Sequence, residues 1–167
     1  MPKSRLKELG YIDIFRQFNK KKIKYIVCGG VAVNLLGIPR MTYDIDLILK
    51  MEAGNLKKFL ELLKKWNFKP RMPVNMEDFM SEEKRKKWMK EKNMRAFCFY
   101  NPEWSISEID VLINIPLNYD GAVEQAAYKR IENVRVPVVS ARHLIKMKKN
   151  TKRKQDGADI RYLRKLL

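Results

Sequence analysis

Cysteine and histidine are scarce in this sequence, which contains two cysteines and one histidine among 167 residues. Cys28 and Cys98 lie far apart and inside apolar runs, where a free cysteine usually behaves as a small buried hydrophobic residue. Neither a disulfide framework nor a zinc-ligand pattern is available. The scarcity therefore excludes a fold held together by disulfides or zinc, and the core must come from apolar packing.

Long apolar runs are lacking as well. No run approaches the roughly 20 apolar residues of a membrane-spanning helix, and the first fifteen residues, MPKSRLKELGYIDIF, lack the order of a signal peptide. We therefore expect a cytoplasmic protein with no membrane segment. A chain of 167 residues can bury one hydrophobic core, so we predict a single domain over residues 1–167.

Acidic residues are few relative to basic ones, with 19 Asp and Glu against 36 Lys and Arg, for a formal charge of +17. A broad positive field favours polyanionic partners such as RNA, DNA or nucleotides. A lysine-rich surface also serves solubility or heat tolerance. The charge alone does not decide between a polyanionic partner and a role in solubility or heat tolerance.

Hydrophobic periodicity predicts the order of the elements. A short strand, IKYIVC, precedes Gly29-Gly30 and a short helix, and Asn55 is predicted to cap a helix that ends at Trp66. Further strands are predicted over residues 42–49, 94–100, 106–115 and 134–139, with a short helix over residues 122–128.

The remaining segments complete the domain organisation. The core covers about residues 1–117, and the C-terminal helical region about residues 140–167. Residues 71–92 are an insertion with one amphipathic, lysine-rich helix. Such a charge-dense helix is either a solvated face or a lid or polyanion contact.

Carboxylates on predicted strands carry the first functional signal. Asp44 and Asp46 share one strand face, roughly 7 Å apart. Aspartate is disfavoured in strands, although a solvated edge strand tolerates such a pair. Asp110 lies in the middle of the apolar strand ISEIDVLINI, with Glu108 on its face. If the two strands are neighbours, three carboxylates converge.

Three ionised carboxylates so close would repel one another unless divalent cations neutralise them. All three offer hard oxygen ligands, so two Mg²⁺ or Mn²⁺ ions are the expected cofactor and zinc is not. Upstream, the strand, Gly29-Gly30 and helix expose backbone N–H groups that a phosphate can approach closely. Arg40, just before the carboxylate strand, can add positive charge for the phosphates.

Together these motifs resemble a known family. The pattern G-G-x13-D-I-D, followed by a distant aspartate on a strand, resembles the signature of the polymerase-β-like nucleotidyltransferase superfamily. The longer pattern G-G-V-A-V…R-M-T-Y-D-I-D-L-I-L is similar to its minimal members, including the nucleotidyltransferase toxins of abortive-infection systems. The C-terminal pattern L-I-x-x-K…R-x-x-D-x-x-D is matched by Lys148, Arg153, Asp156 and Asp159.

The resemblance implies an α/β (α+β) nucleotidyltransferase fold, a mixed β-sheet flanked by helices. It implies metal ligation and catalysis by Asp44, Asp46 and Asp110, and nucleotide contacts from Gly29, Gly30, Arg40, Thr42 and Lys148. The implied activity transfers a nucleoside monophosphate from an NTP, ATP included, to a hydroxyl acceptor, for which the charge suggests RNA or a tRNA end.

Two alternatives stay open at this stage. The alternative to an enzyme is a catalytically silent nucleotide- or RNA-binding module. Such a module would be half of a toxin–antitoxin pair, with an antitoxin-like protein as its partner. For the C-terminal segment, the alternative is a helix hairpin in which Arg153, Asp156 and Asp159 pair with one another.

Overall fold

The structure, a computed structural model, describes residues 8–38, 42–115, 117–149 and 154–167, and only the backbone of residues 154 and 155. The strands are β1 Tyr25–Cys28, β2 Asp44–Leu49, β3 Lys69–Pro70, β4 Ala96–Tyr100, β5 Glu108–Leu112, β6 Ala127–Ile131 and β7 Val134–Val138. The helices are α1 Tyr11–Lys20, α2 Gly29–Leu35, α3 Ala53–Lys65, a 3₁₀ helix Met76–Met80, α4 Glu82–Lys92, α5 Tyr119–Glu124, α6 Ala141–Lys149 and α7 Lys154–Arg164.

All seven strands form one mixed sheet in the order β3-β4-β5-β2-β1-β7-β6. The pairs β2–β5 and β1–β7 are parallel, and the others are antiparallel. The predicted mixed sheet flanked by helices is confirmed. None of the helices in the described ranges is long and apolar enough to cross a membrane.

Alternation along the central strands gives the sheet two different faces. One face, here the core face, carries the buried side chains Ile45, Leu47, Ile109, Val111, Phe97 and Phe99. The other, here the carboxylate face, carries Asp44 and Asp46 of β2 with Glu108 and Asp110 of β5. The apolar residues of each strand are thus used for packing, while its polar residues share the opposite face.

Aromatic side chains fix the helices to the core face. The ring of Phe59 in α3 lies 5.8 Å from Phe18 of α1 and 5.7 Å from Phe99 of β4. Aromatic pairs at such distances add to the free energy of burial. They connect two helices to the core face of the sheet.

The predicted helix in the insertion is confirmed as α4, and Ser81 caps it by accepting a hydrogen bond from the Lys84 N–H at 3.2 Å. The prediction that this helix is amphipathic is wrong, because the residues that it buries are Trp88 and the charged Arg85. Trp88 stacks on Phe97 at 5.0 Å. Helix α4 therefore packs on the core face, opposite to the carboxylates.

The chain between residues 117 and 131 differs from the prediction. The helix lies earlier, as α5, and Ala127–Ile131 forms the edge strand β6 instead of a helix end. Two of its five side chains are exposed and the other three are only partly buried, so its apolar pattern is weak. Together with β7, it extends the sheet beyond residue 117.

Asn55 does not cap α3, which begins at Ala53, but lies buried inside it. Its side chain accepts from the Lys24 N–H at 2.7 Å and donates to the Lys24 and Lys50 carbonyls at 3.0 and 2.9 Å. We expect Asn55→Ala to lower the free energy of unfolding by about 2–4 kcal/mol, because it removes three buried hydrogen bonds to the backbone. Of the three backbone groups, the Lys24 carbonyl keeps a hydrogen bond from the Lys50 N–H. Urea unfolding measures this, and Lys58→Ala, on the exposed side of α3, should shift stability by less than about 0.5 kcal/mol. Equal effects would contradict the bridging role.

Candidate metal centre

Three aspartates converge on the carboxylate face. Strands β2 and β5 pair in parallel, with Asp44 opposite Glu108 and Asp46 opposite Asp110. One carboxylate oxygen each of Asp44, Asp46 and Asp110 lies within 4.8 Å of the others. The prediction that Asp110 lies beside the D-x-D strand is confirmed, and the spacing lets one cation contact all three side chains.

The electrostatics of Asp110 fit a cation. Its Oδ1 atom is buried and has no hydrogen-bond partner within the described part of the chain. Burial raises the pKa of the Asp110 carboxyl, and the charges of Glu108 and Asp44 raise it further, while a hydrogen bond from Cys98 opposes the rise. A buried oxygen without a donor is costly, and a hard divalent ion supplies the missing positive charge. The donor set therefore suits Mg²⁺ or Mn²⁺.

Gly29 borders this cluster at the end of β1. Its φ is +67°, and a Cβ there would lie 1.9 Å from Asp46 Oδ2. Only glycine fits this approach. The glycine pair forms the first turn of α2 instead of a separate turn before it. Its position brings the backbone directly against the carboxylate cluster.

Comparison with known proteins gives a match in structure alone, because no family model and no curated protein matches the sequence. LnuA, a lincosamide antibiotic adenylyltransferase with lincomycin bound, is 17% identical with a TM-score of 0.62, over 97% of this chain and 100% of that chain. The antibiotic-resistance factor ANT(2'')-Ia is 13% identical with a TM-score of 0.55, over 92% and 80%. An antigenic nucleotidyltransferase-like protein from Paracoccidioides brasiliensis is 17% identical with a TM-score of 0.51, over 91% and 71%.

The chain has the nucleotidyltransferase fold. The TM-scores of 0.51–0.62 thereby confirm the resemblance for the fold, while identities of 13–17% fix no substrate.

Within this nucleotidyltransferase fold, Thr42 holds a carboxylate. Its hydroxyl contacts the Asp44 carbonyl at 3.0 Å and Asp44 Oδ1 at 3.3 Å. These contacts orient Asp44 at the start of β2. A nucleotide contact of Thr42 stays a prediction, and Arg40 lies outside the described residues.

The C-terminal helices bring Lys148 close to the cluster. Its Nζ is buried and forms ion pairs with Asp156 Oδ1 at 3.1 Å and Asp159 Oδ2 at 3.2 Å. Its charge also acts on the Cys28 thiol, as do the charges of Asp46 and Asp110. The matched motif therefore forms a buried ion-pair group that joins α6 to α7, while Arg153 lies outside the described residues.

The sequence did not indicate that Arg71 reaches the site. The Arg71 guanidinium forms an ion pair with Glu108 and lies 4.5 Å above the Tyr100 ring. The sequence places Arg71 in the insertion and Cys98 and Tyr100 on a predicted strand. In the structure Cys98 and Tyr100 lie half-buried on the carboxylate face. The one feature of the sequence that could have indicated a basic partner here is Glu108, two residues before Asp110.

Two thiols flank the aspartates, with Cys28 opposite Asp46 and Cys98 opposite Asp110. Burial, then the hydrogen bond and charge of Asp110, raise the pKa of Cys98 to about 12. Burial, followed by the charges of Asp46 and Asp110, raises the pKa of the Cys28 thiol well above its usual value. At pH 8 we expect iodoacetamide to modify Cys98 about a thousandfold more slowly than an exposed thiol, because the thiolate reacts. Mass spectrometry should find both thiols modified only in denaturant. Rapid alkylation of the folded protein would contradict the burial.

Proposed function

We propose that the chain is a metal-dependent nucleotidyltransferase that transfers a nucleoside monophosphate from an NTP to a hydroxyl acceptor. The observation that carries this proposal is the convergence of Asp44, Asp46 and Asp110, with a buried unpartnered oxygen on Asp110, in a nucleotidyltransferase fold. A cation best explains why the buried Oδ1 of Asp110, which has no hydrogen-bond partner among the described residues, lies so close to two further carboxylates.

Asp44 and Asp46 would bind both divalent ions, and Asp110 would bind the one nearer the acceptor. When bound, such ions lower the pKa of the attacking hydroxyl and neutralise charge on the α-phosphate and the leaving pyrophosphate. Thr42 holds Asp44 in position through its hydroxyl. Asp110 would also accept the proton of the attacking hydroxyl.

The nucleotide would lie on the Gly29 side of the cluster. Gly29 and Gly30 would present backbone N–H groups to the triphosphate, and Arg40 would add positive charge. Lys148 would contact the phosphates in exchange for its ion pairs with Asp156 and Asp159. The oxygen of the acceptor attacks the α-phosphorus, and the bond to pyrophosphate breaks. Such a transfer depends on positioning and charge stabilisation, so the protein needs no nucleophilic side chain.

For the acceptor we propose RNA, such as a tRNA end, because a net charge of +17 attracts a polyanion. The fold likeness to LnuA and ANT(2'')-Ia favours a second candidate, a small hydroxylated molecule. Lincomycin, which the LnuA structure contains, is a suitable probe for that class.

The test is incubation with each α-³²P-labelled NTP and Mg²⁺ or Mn²⁺, with cellular RNA or lincomycin as acceptor. We expect label on RNA with release of pyrophosphate, and none in EDTA. Label on lincomycin alone would establish the second candidate. If NTP binds but neither label transfer nor pyrophosphate release occurs with any acceptor, the chain is instead a silent binding module, as in a toxin–antitoxin pair with a protein partner.

A further inference from the structure

The β6–β7 hairpin carries an aromatic and basic surface at the edge of the sheet. Val138 pairs with Val27, whose side chain points to the core face. The alternate residues of β7, Arg135 and Pro137, therefore point to the carboxylate face. On β6, Arg130 lies opposite Arg135, and Tyr128 lies opposite Pro137. At the β6 edge of the sheet, the carboxylate face thus carries one tyrosine and two arginines.

The tyrosine and one arginine are already stacked. The Arg135 guanidinium lies 4.0 Å from the centre of the Tyr128 ring, which is 46% exposed. The carbonyl of Arg135 accepts a hydrogen bond from the Asn19 side chain at 2.8 Å, which ties this part of β7 to α1. The stack therefore stands on a strand that is fixed to the rest of the fold.

A cavity of about 260 Å³ lies beside the stack. Tyr119, Tyr128, Lys24 and Arg135 contribute to its wall, together with the apolar side chains of Val123 and Pro137. Its volume is just below the usual range for drug-sized ligands and suits a single planar group. Aromatic and cationic walls together favour a ligand that is flat and anionic.

We propose that this hairpin surface, formed by Tyr128, Arg130 and Arg135 with the adjoining cavity, binds single-stranded RNA. A base stacks against Tyr128 or enters the cavity, and Arg130, Arg135 and Lys24 bind phosphates. Single-stranded nucleic acids are bound in this way, by aromatic rings beside a positive groove. The Lys-rich helix α4 does not offer this combination, because its Trp88 is buried on the core face.

The location fits an acceptor strand. Lys24 adjoins the beginning of β1, while Cys28, at its end, is paired with Asp46. Strand rise separates Lys24 from Cys28 by about 13 Å. A ligand that reaches from the cavity to the aspartate cluster must therefore be extended, as an RNA strand is. That the bound RNA is the acceptor rests on the proposed function. RNA binding by this surface does not require catalysis.

The test is the affinity of a fluorescein-labelled, unstructured 12-nucleotide RNA, measured by anisotropy in EDTA without NTP. We expect Tyr128→Ala to weaken binding roughly 5- to 100-fold, because it removes one stacked base. Tyr128→Phe should retain wild-type affinity within about twofold, because phenylalanine also stacks. Arg130→Gln should reduce the slope of log K against log salt by about 0.7.

Tyr162→Ala is the matched control, because Tyr162 is 48% exposed and lies under Lys165 at 5.7 Å. It should leave RNA affinity unchanged. The proposal is overturned if the wild type does not bind the RNA, or if Tyr128→Ala binds as tightly as Tyr162→Ala. Binding that depends on Tyr128, without label transfer to RNA, would support the surface and overturn the RNA acceptor. Label transfer to RNA that is unaffected by Tyr128→Ala would support the RNA acceptor and overturn the hairpin surface.

Discussion

Asp110→Asn is expected to reduce Mg²⁺-dependent nucleotidyl transfer by at least about a thousandfold. The asparagine keeps the shape of the side chain but removes the charge that would hold a divalent ion between β2 and β5. It also removes the group placed to accept the hydroxyl proton. Both losses act on the transition state, so the effect should appear in kcat and not in the KM for NTP alone.

The same variant should not destabilise the protein when metal is absent. Because burial raises the pKa of the Asp110 carboxyl, its ionised form opposes folding at neutral pH. That opposition is absent below the pKa of the unfolded chain and grows as pH rises. We therefore expect Asp110→Asn to match or exceed the wild-type Tm in EDTA at pH 7.5, with a difference that shrinks at acidic pH.

Asp120→Asn is the control for this experiment, because Asp120 is an exposed partner of Lys50 in α5. It should leave transfer unchanged. Loss of transfer with a large fall in Tm in EDTA would show instead that Asp110 is a structural residue. Full activity of Asp110→Asn would remove the aspartate cluster from the mechanism.

Gly29→Ala is expected to have the second largest effect. Its Cβ would overlap Asp46 Oδ2 at 1.9 Å, and its φ of +67° is unfavourable for alanine. The strain and overpacking together should lower the free energy of unfolding by about 2–5 kcal/mol. Relief of the overlap requires Asp46 to move, so transfer per folded molecule should also fall by at least about a hundredfold.

Gly37→Ala separates the effect of backbone strain from the effect of overlap with Asp46. Gly37 also has a positive φ, of +104°, but a Cβ there meets nothing within 4 Å. We expect a loss of about 1–3 kcal/mol from backbone strain and no loss of transfer per folded molecule. Denaturant unfolding and pyrophosphate release, measured on both variants, make the comparison. Equal losses of activity would show that the contact with Asp46 is unimportant.

Local patterns were sufficient to predict much of the candidate site. The strand before Gly29, the alternation around Asp44 and Asp46, and the lone carboxylate at Asp110 are each visible within a few residues. Apolar residues on one strand face leave the polar ones on the other, and this constraint fixed the direction of the carboxylates. The parallel pairing of β2 with β5 then brought them together.

Contacts between distant segments were not predictable in this way. Arg71 and Glu108 lie 37 residues apart and meet only because β3 and β5 flank β4. Asn55 was assigned to a cap by residue type, whereas its three bonds join segments that the helix reaches only in the folded chain. The edge strand β6 buries too little apolar surface to show a strand pattern.

Direct counting of metal ions tests the central claim, that Asp44, Asp46 and Asp110 form a two-metal centre. Mn²⁺ should be titrated into the wild type and Asp46→Asn with a non-hydrolysable ATP analogue, and free Mn²⁺ followed by electron paramagnetic resonance. We expect two tightly bound Mn²⁺ per wild-type chain and a loss of tight binding in Asp46→Asn. Absence of tight binding to the wild type, or equal binding by the variant, would contradict the assignment.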